Sequence, residues 1–258
     1  LGECTIKVAI DPALAPRIAP AGRKAVFAGS RALTADMAEF TFRTDGPARF
    51  LPGQFAMLRL DGLAAPRAYS MCNLANDAGE WRFIVKRVPG GVATALLFDG
   101  LREGDTIAID APFGNSWLRT GTGRDIVCIA GGSGLSPVLS ILRGAAAEPA
   151  LDGQRLLLFH GGGGPADMCA EALLAAEPAL AGRVELHAAI SDESAPGAAS
   201  WTGPRGMIHE LVRARLGDGM AGFDFYFCGP PPMTDAVHRM LLIEAKVPAS
   251  QLHFDRFY

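Results

Sequence analysis

Long apolar runs are missing from this sequence. Residues 125–130 and 156–159 are among the longest, and both are far too short to span a bilayer, so a membrane is not an expected partner. Cysteine is sparse as well. The five, Cys4, Cys72, Cys128, Cys169 and Cys228, are scattered with no CxxC, which argues against a zinc or cluster site within the chain. An odd, unpatterned set fits reduced thiols in a cytoplasm. No sign of charge dominates: the net −3 gives no electrostatic reason to expect nucleic acid or an anionic membrane. The five histidines have no ligand spacing, and His160 and His187, at strand positions, read as satisfied core or cleft residues. No Gly-x-Ser-x-Gly elbow is present.

What is present is a globular chain. Its 258 residues suffice for two ordinary domains, and 49% hydrophobic with 20% charged residues excludes global disorder. From about residue 24 to 118 the text reads as short strands with turn punctuation: 38–43, 55–60, 81–88 and 106–110, with a helix fitting 92–101. Such spacing predicts a small antiparallel barrel. After Thr120-Gly121-Thr122-Gly123 the pattern changes. Strands at 126–130, 155–160, 184–190, 223–228 and 251–254 alternate with helices at 136–147, 167–176, 207–216 and 231–246. Alternation of this kind predicts a five-stranded parallel sheet wrapped by helices, with ligands at the carboxyl ends of the strands. The expected division is 1–22 as a linker or remnant, 23–120 as barrel and 121–258 as nucleotide domain.

Glycine-rich turns fall at those carboxyl ends: Gly131-Gly132-Ser133-Gly134-Leu135-Ser136-Pro137, residues 161–164, and Cys228-Gly229-Pro230 followed by Met233. A glycine turn lets the backbone approach a phosphate, and a following helix offers free N–H groups. The fingerprint of an ordinary Rossmann dehydrogenase is not met, because Pro137 holds the third glycine's place and no acid closes the second strand. In the barrel, Arg67-Ala68-Tyr69-Ser70 combines a phosphate-pairing cation, a stacking ring and a hydroxyl, although the tetrad alone better suits a strand of ordinary mixed residues. Val85-Lys86 and then Gly90-Gly91-Val92-Ala93-Thr94 form a second phosphate-capable turn, in which Thr94 equally suits a cap residue. Cys228, taken alone, reads as a small buried apolar residue.

In this order and context the motifs resemble those of the ferredoxin–NADP reductase superfamily over about residues 24–258. Arg67-Ala68-Tyr69-Ser70 is similar to its Arg-x-Tyr-Ser/Thr flavin motif, and Gly91-Val92-Ala93-Thr94 to its pyrophosphate turn. Gly132-Ser133-Gly134-Leu135-Ser136-Pro137 is similar to its nicotinamide-nucleotide loop, and Cys228-Gly229-Pro230 to its Cys-Gly-Pro turn. The resemblance implies a Greek-key FAD-binding barrel followed by a nicotinamide-nucleotide domain. By it, Arg67 holds flavin phosphate, Tyr69 packs on the isoalloxazine, Ser70 bonds near N5 and Cys228 lies near the nicotinamide C4. Phe254-Asp255-Arg256-Phe257-Tyr258 is similar to the family's acid-x-aromatic ending, implying that Phe257 covers the other flavin face with Asp255 nearby; the extra Tyr258 departs from its simplest form.

Within the family the likeness is greatest to reductase components of bacterial aromatic-ring-hydroxylating oxygenases. That implies an NADH-dependent reductase passing electrons to a [2Fe–2S] centre or ferredoxin that feeds a terminal oxygenase. Residues 1–8, which begin with Leu1 rather than Met, look like the last strand of a preceding [2Fe–2S] ferredoxin domain, the other readings being a fraying tail or a tag remnant. Ser191-Asp192 stands where NADP-using relatives tend to place Ser-Arg, so NADH is the expected donor, with Arg205 the residue that would admit NADPH. Two alternatives stay open. One is a stand-alone NAD(P)H reductase of ferredoxin or free flavin. The other is a non-catalytic electron-transfer subunit like that of dihydroorotate dehydrogenase, whose C-terminal cysteine cluster has no counterpart here.

Overall fold

The computed structural model describes residues 17–255; Phe257 and the segment 1–16, with Cys4, lie outside the described residues. Six antiparallel strands form the first layer: β1 (Ala21–Ala32), β2 (Met37–Arg43), β3 (Phe55–Arg59), β4 (Arg67–Ser70), β5 (Glu80–Lys86) and β6 (Thr106–Phe113). Their order is β4-β3-β6-β1-β2-β5. Alternation drives the curl, because side chains two apart share a face. Phe27, Phe40, Phe42, Leu58, Phe83 and Ile109 point inward and are buried. Their rings meet, Phe27 on Phe42 at 5.3 Å and Phe42 on Phe83 at 6.0 Å.

The two end strands almost close the barrel. Past Ser70 the chain leaves β3 for β5: Met71 faces Phe83, and the Cys72 N–H donates to the Arg82 carbonyl at 2.8 Å. Helix α1 (Val92–Ala95) runs on as a wider π turn to Gly100, placing Leu97 in the core and Phe98 edge-on to Phe40 at 5.0 Å.

The second layer is a parallel sheet of β7 (Asp125–Gly131), β8 (Leu156–Gly162), β9 (Val184–Ile190), β10 (Phe223–Cys228) and β11 (Leu252–His253), ordered β11-β10-β7-β8-β9. Both faces are covered, as parallel sheets require. On one face Ile126, Cys128, Leu156 and Leu158 pack under α2 (Leu135–Ala147) and α3 (Ala170–Ala175). On the other, Val127, Ile129, Leu157 and Phe159 pack under α4 (Ile208–Leu216) and α5 (Pro231–His238).

Three elements are shorter than their patterns suggest. Helix α3 starts at Ala170 because the Asp167 carboxylate turns back to accept the Gly163 and Gly164 N–H groups, at 2.9 and 3.1 Å. Helix α5 ends at His238 and continues as a π turn over Arg239–Glu244. Strand β11 is two residues long.

The two layers share a core. Met37, Cys72 and Ile84 of the barrel are buried in the same cluster as Val138, Leu139 and Leu142 of α2. Burying a side chain the size of Ile84 or Met37 contributes about 1.5–3 kcal/mol, so this contact is a firm one.

Candidate active site between barrel and sheet

The flavin-motif residues lie on β4, alternating between its faces. Arg67 is exposed, and its guanidinium donates to the Ala65 carbonyl at 3.0 Å. Ala68 and Tyr69 are half-buried; burial pushes the Tyr69 phenol up, with Arg67 partly offsetting it. Ser70 is buried at the strand's end. In the second turn, Gly91 caps α1 and Val92 and Ala93 open the helix. Thr94 is turned inward: its hydroxyl accepts the Val88 N–H and donates to the Gly91 carbonyl, both at 3.1 Å. Thr94 therefore shapes the turn from inside. Val85 is buried in β5.

Lys86 does not join that turn. Its ammonium crosses to the other layer, 2.8 Å from Asp167, while also standing 3.3 Å from Asp36. Burial alone would raise the Asp167 carboxyl, but Lys86 and the two glycine N–H groups outweigh it and hold the group below its ordinary value.

At the sheet's carboxyl ends two turns interlock. Gly132 has φ +55, a conformation open to glycine at little cost. Gly134 lies against the Cys228 carbonyl so closely that any Cβ would overlap it, and a Cβ on Gly229 would stand 2.5 Å from the Met233 methyl. Ser133 and Pro230 are exposed, whereas Ser136 and Pro137 are buried. The Ser136 hydroxyl accepts the Ile84 N–H at 3.0 Å and donates to the Ser70 carbonyl at 2.6 Å. It is thus committed to the barrel. Burial pushes the Cys228 thiol up to about 12, and the Asp255 carboxylate adds to this, so the sulfur is protonated at neutral pH.

Ser70, Pro137, Cys228 and Asp255, from four separate segments, line one cavity together with Gly53 and Ser116. The Ser116 hydroxyl is buried there without a hydrogen-bond partner. A second, open cleft of about 270 Å³ runs along the strand ends and is lined by Lys86, Gly132, Gly162, Asp167, Ser191 and Met233. Ser191 is fixed to β8, its N–H donating to the Gly162 carbonyl at 2.9 Å. Asp192 turns away to accept from the Ser194 N–H and hydroxyl at 2.8 and 2.6 Å, which hold its carboxyl down. Arg205 is spent on the carbonyls of Ala198 and Trp201, at 2.7 and 3.0 Å.

Sequence reasoning missed Gly53, Ser116 and Asp167, because each reaches the site through contacts distant in sequence. It also expected His160 to be satisfied. His187 is, at 2.8 Å from Glu185 and stacked on Phe159. His160 is not: both ring nitrogens lack a partner, and burial pushes it down to about 4, leaving a neutral imidazole.

Residues 25–117 match the oxidoreductase FAD-binding domain family and residues 128–239 the oxidoreductase NAD-binding domain family. The whole chain is 38% identical to ferredoxin–NAD(P)+ reductase CarAd of Metapseudomonas resinovorans, covering 76% of that protein. The chain belongs to the ferredoxin–NAD(P)+ reductase family. A second relative is the ferredoxin–NAD+ reductase component of the alkene monooxygenase system of Xanthobacter autotrophicus, 40% identical over 87% of this chain and 67% of its own. Among solved structures, the ferredoxin reductase in carbazole 1,9a-dioxygenase superposes with a TM-score of 0.87 at 37% identity, over 97% of this chain and 74% of that one. The reductase is accordingly an FAD-dependent oxidoreductase with an FAD-binding and an NAD-binding domain. Among the described residues no helix is long and apolar enough to cross a membrane, and no group of His, Cys, Asp or Glu is placed to hold a metal.

Proposed function

We propose that this reductase takes hydride from NADH onto FAD and passes the electrons singly to a [2Fe–2S] centre, in a ferredoxin or ferredoxin domain, that feeds a terminal oxygenase. The observation carrying the reading is the convergence of Ser70, Cys228 and Asp255 on one cavity between barrel and sheet. The residues present suit both ligands. The Ser116 hydroxyl, buried without a partner, lines the cavity and is available to a polar ring edge. Gly134 and Gly229 let the two turns pack where any Cβ would clash, which holds the nucleotide surface in shape.

When bound, the flavin supplies two-electron acceptance with one-electron release. The chain's own residues bind, orient and exclude water. Arg67, exposed at the start of β4, pairs with flavin phosphate, and Tyr69 packs on the ring. Ser70, which lines the cavity, would orient the ring edge. The turn of Gly91, Val92 and Ala93, held in shape by Thr94, would take the pyrophosphate.

The Gly132–Gly134 turn, with Ser133 at its exposed tip and α2 behind it, receives the nicotinamide nucleotide, helped by Gly229, Pro230 and Met233. Lys86 lines the same cleft. Cys228, a neutral thiol lining the cavity, would stand beside the nicotinamide and is unsuited to act as base or nucleophile at neutral pH. NADH is preferred: the Ser191 turn carries Asp192 rather than a cation, and Arg205 is already engaged.

The test is reduction of a plant-type [2Fe–2S] ferredoxin by the FAD-loaded chain. NADH drives the reaction with a kcat/KM at least tenfold above that of NADPH. Comparable efficiencies would overturn the cofactor preference, and no ferredoxin reduction with either donor would overturn the function.

A further inference from the structure

We propose that Ser136 couples the two ligand sites: a nucleotide seated in the Gly132–Gly134 turn tightens FAD on β4 through the Ser136 hydroxyl. The proposal rests on the reading that FAD lies along β4. Strands β4 and β5 are the two ends of the six-stranded sheet. Their seam is short, held by the Met71–Phe83 pairing and the hydrogen bond from the Cys72 N–H to the Arg82 carbonyl. At the next position, where Ser70 meets Ile84, a hydroxyl from the other domain sits on the seam. Ser136 accepts from Ile84 at 3.0 Å and donates to Ser70 at 2.6 Å, with 2% of the residue exposed.

Both edges of the flavin strand's closure therefore depend on the second residue of α2, directly behind the glycine turn. Only the base of that turn is fixed, since Gly134 abuts the Cys228 carbonyl, while its tip at Ser133 is exposed. Turn, hydroxyl and seam form three consecutive links. A ligand that orders the first lowers the entropic cost of ordering the third, and coupling of this kind is reciprocal. The other contacts of α2 with the barrel lie elsewhere. Ser140 donates to the Asn73 carbonyl at 2.8 Å and Arg143 to that of Cys72, so both hold the domains together without touching β4.

The experiment is FAD release from the full chain on dilution, followed by free-flavin fluorescence, with and without ADP-ribose. This probe carries the adenosine and pyrophosphate but no nicotinamide, so it cannot stack on the flavin ring. In the wild type, ADP-ribose tightens FAD about fivefold or more. In Ser136→Ala the ratio falls to about one, Ser136→Thr restores it by keeping the hydroxyl, and Ser140→Ala leaves it as in the wild type. A wild-type ratio of one overturns the proposal without any variant having to fold, and so does an undiminished ratio in Ser136→Ala. Failure to retain FAD at all would remove the flavin reading with it. A chain that holds FAD and is bleached by NADH, yet shows a ratio of one, would sink the coupling alone.

Discussion

The α-carbon of Gly134 faces the carbonyl of Cys228, with no room between the two turns for a single methyl group. The turns that follow β7 and β10 are thereby held as one surface. Gly134→Ala must push them apart, at a cost of about 2 kcal/mol. Thermal unfolding and NADH titration of the variant should show a lowered Tm together with weakened nucleotide binding. A variant as stable as wild type with unchanged NADH affinity would show that the turns do not need this contact.

Asp224 organises the opposite end of the sheet. Its buried carboxylate accepts from Thr122 at 2.5 Å and from Arg124 at 2.9 and 3.1 Å, and lies 3.6 Å from His253 of β11. Asp224→Ala leaves these donors without their shared acceptor and should cost about 3 kcal/mol in urea unfolding. Because β11 leads directly to Asp255, the same variant should also slow flavin reduction. Loss of stability with an unchanged rate would separate this network from the site.

The Lys86–Asp167 pair makes stability depend on pH with a defined sign. The Asp167 carboxyl is held below the ordinary aspartate value of 3.8 in the folded chain. Its contribution is therefore complete above that value and is lost as pH falls through the lower, folded one. Asp167→Asn should lower stability by about 1 kcal/mol near neutrality, a modest figure because Lys86 is partly solvent-screened. The gap between wild type and variant should close in acid. A gap that stays constant from pH 7 to pH 2 would contradict the pairing.

Cysteine chemistry offers a direct check on burial. With its thiol raised to about 12, Cys228 holds on the order of a thousandfold less thiolate at pH 8 than an unburied cysteine, whose pKa is about 8.5, and should react with iodoacetamide correspondingly more slowly. Peptide mass spectrometry after timed labelling measures this. Rapid labelling of Cys228 in the native chain would refute the protonated, enclosed sulfur.

The fold was legible where patterns are local. Phe40 and Phe42 alternate visibly with Glu39 and Thr41, and the glycine turns mark the strand ends because their backbone demands are met within a few residues. What stayed hidden depends on distant partners. Nothing near Lys86 in sequence shows that it crosses 81 positions to Asp167 rather than serving the Gly91 turn. Ser136 belongs to a nucleotide-loop motif, yet its hydroxyl is committed to Ser70 and Ile84, 66 and 52 positions away. His160 shows how burial reverses an expectation: a strand histidine normally finds a partner, and here both ring nitrogens lack one.

The most direct measurement is the visible spectrum of the FAD-loaded chain, recorded anaerobically before and after one equivalent of NADH. Ser70, Cys228 and Asp255 around one cavity predict flavin bands that bleach promptly and return when an electron acceptor is admitted. A chain that takes up no FAD, or whose flavin bands survive NADH unchanged, would contradict the account.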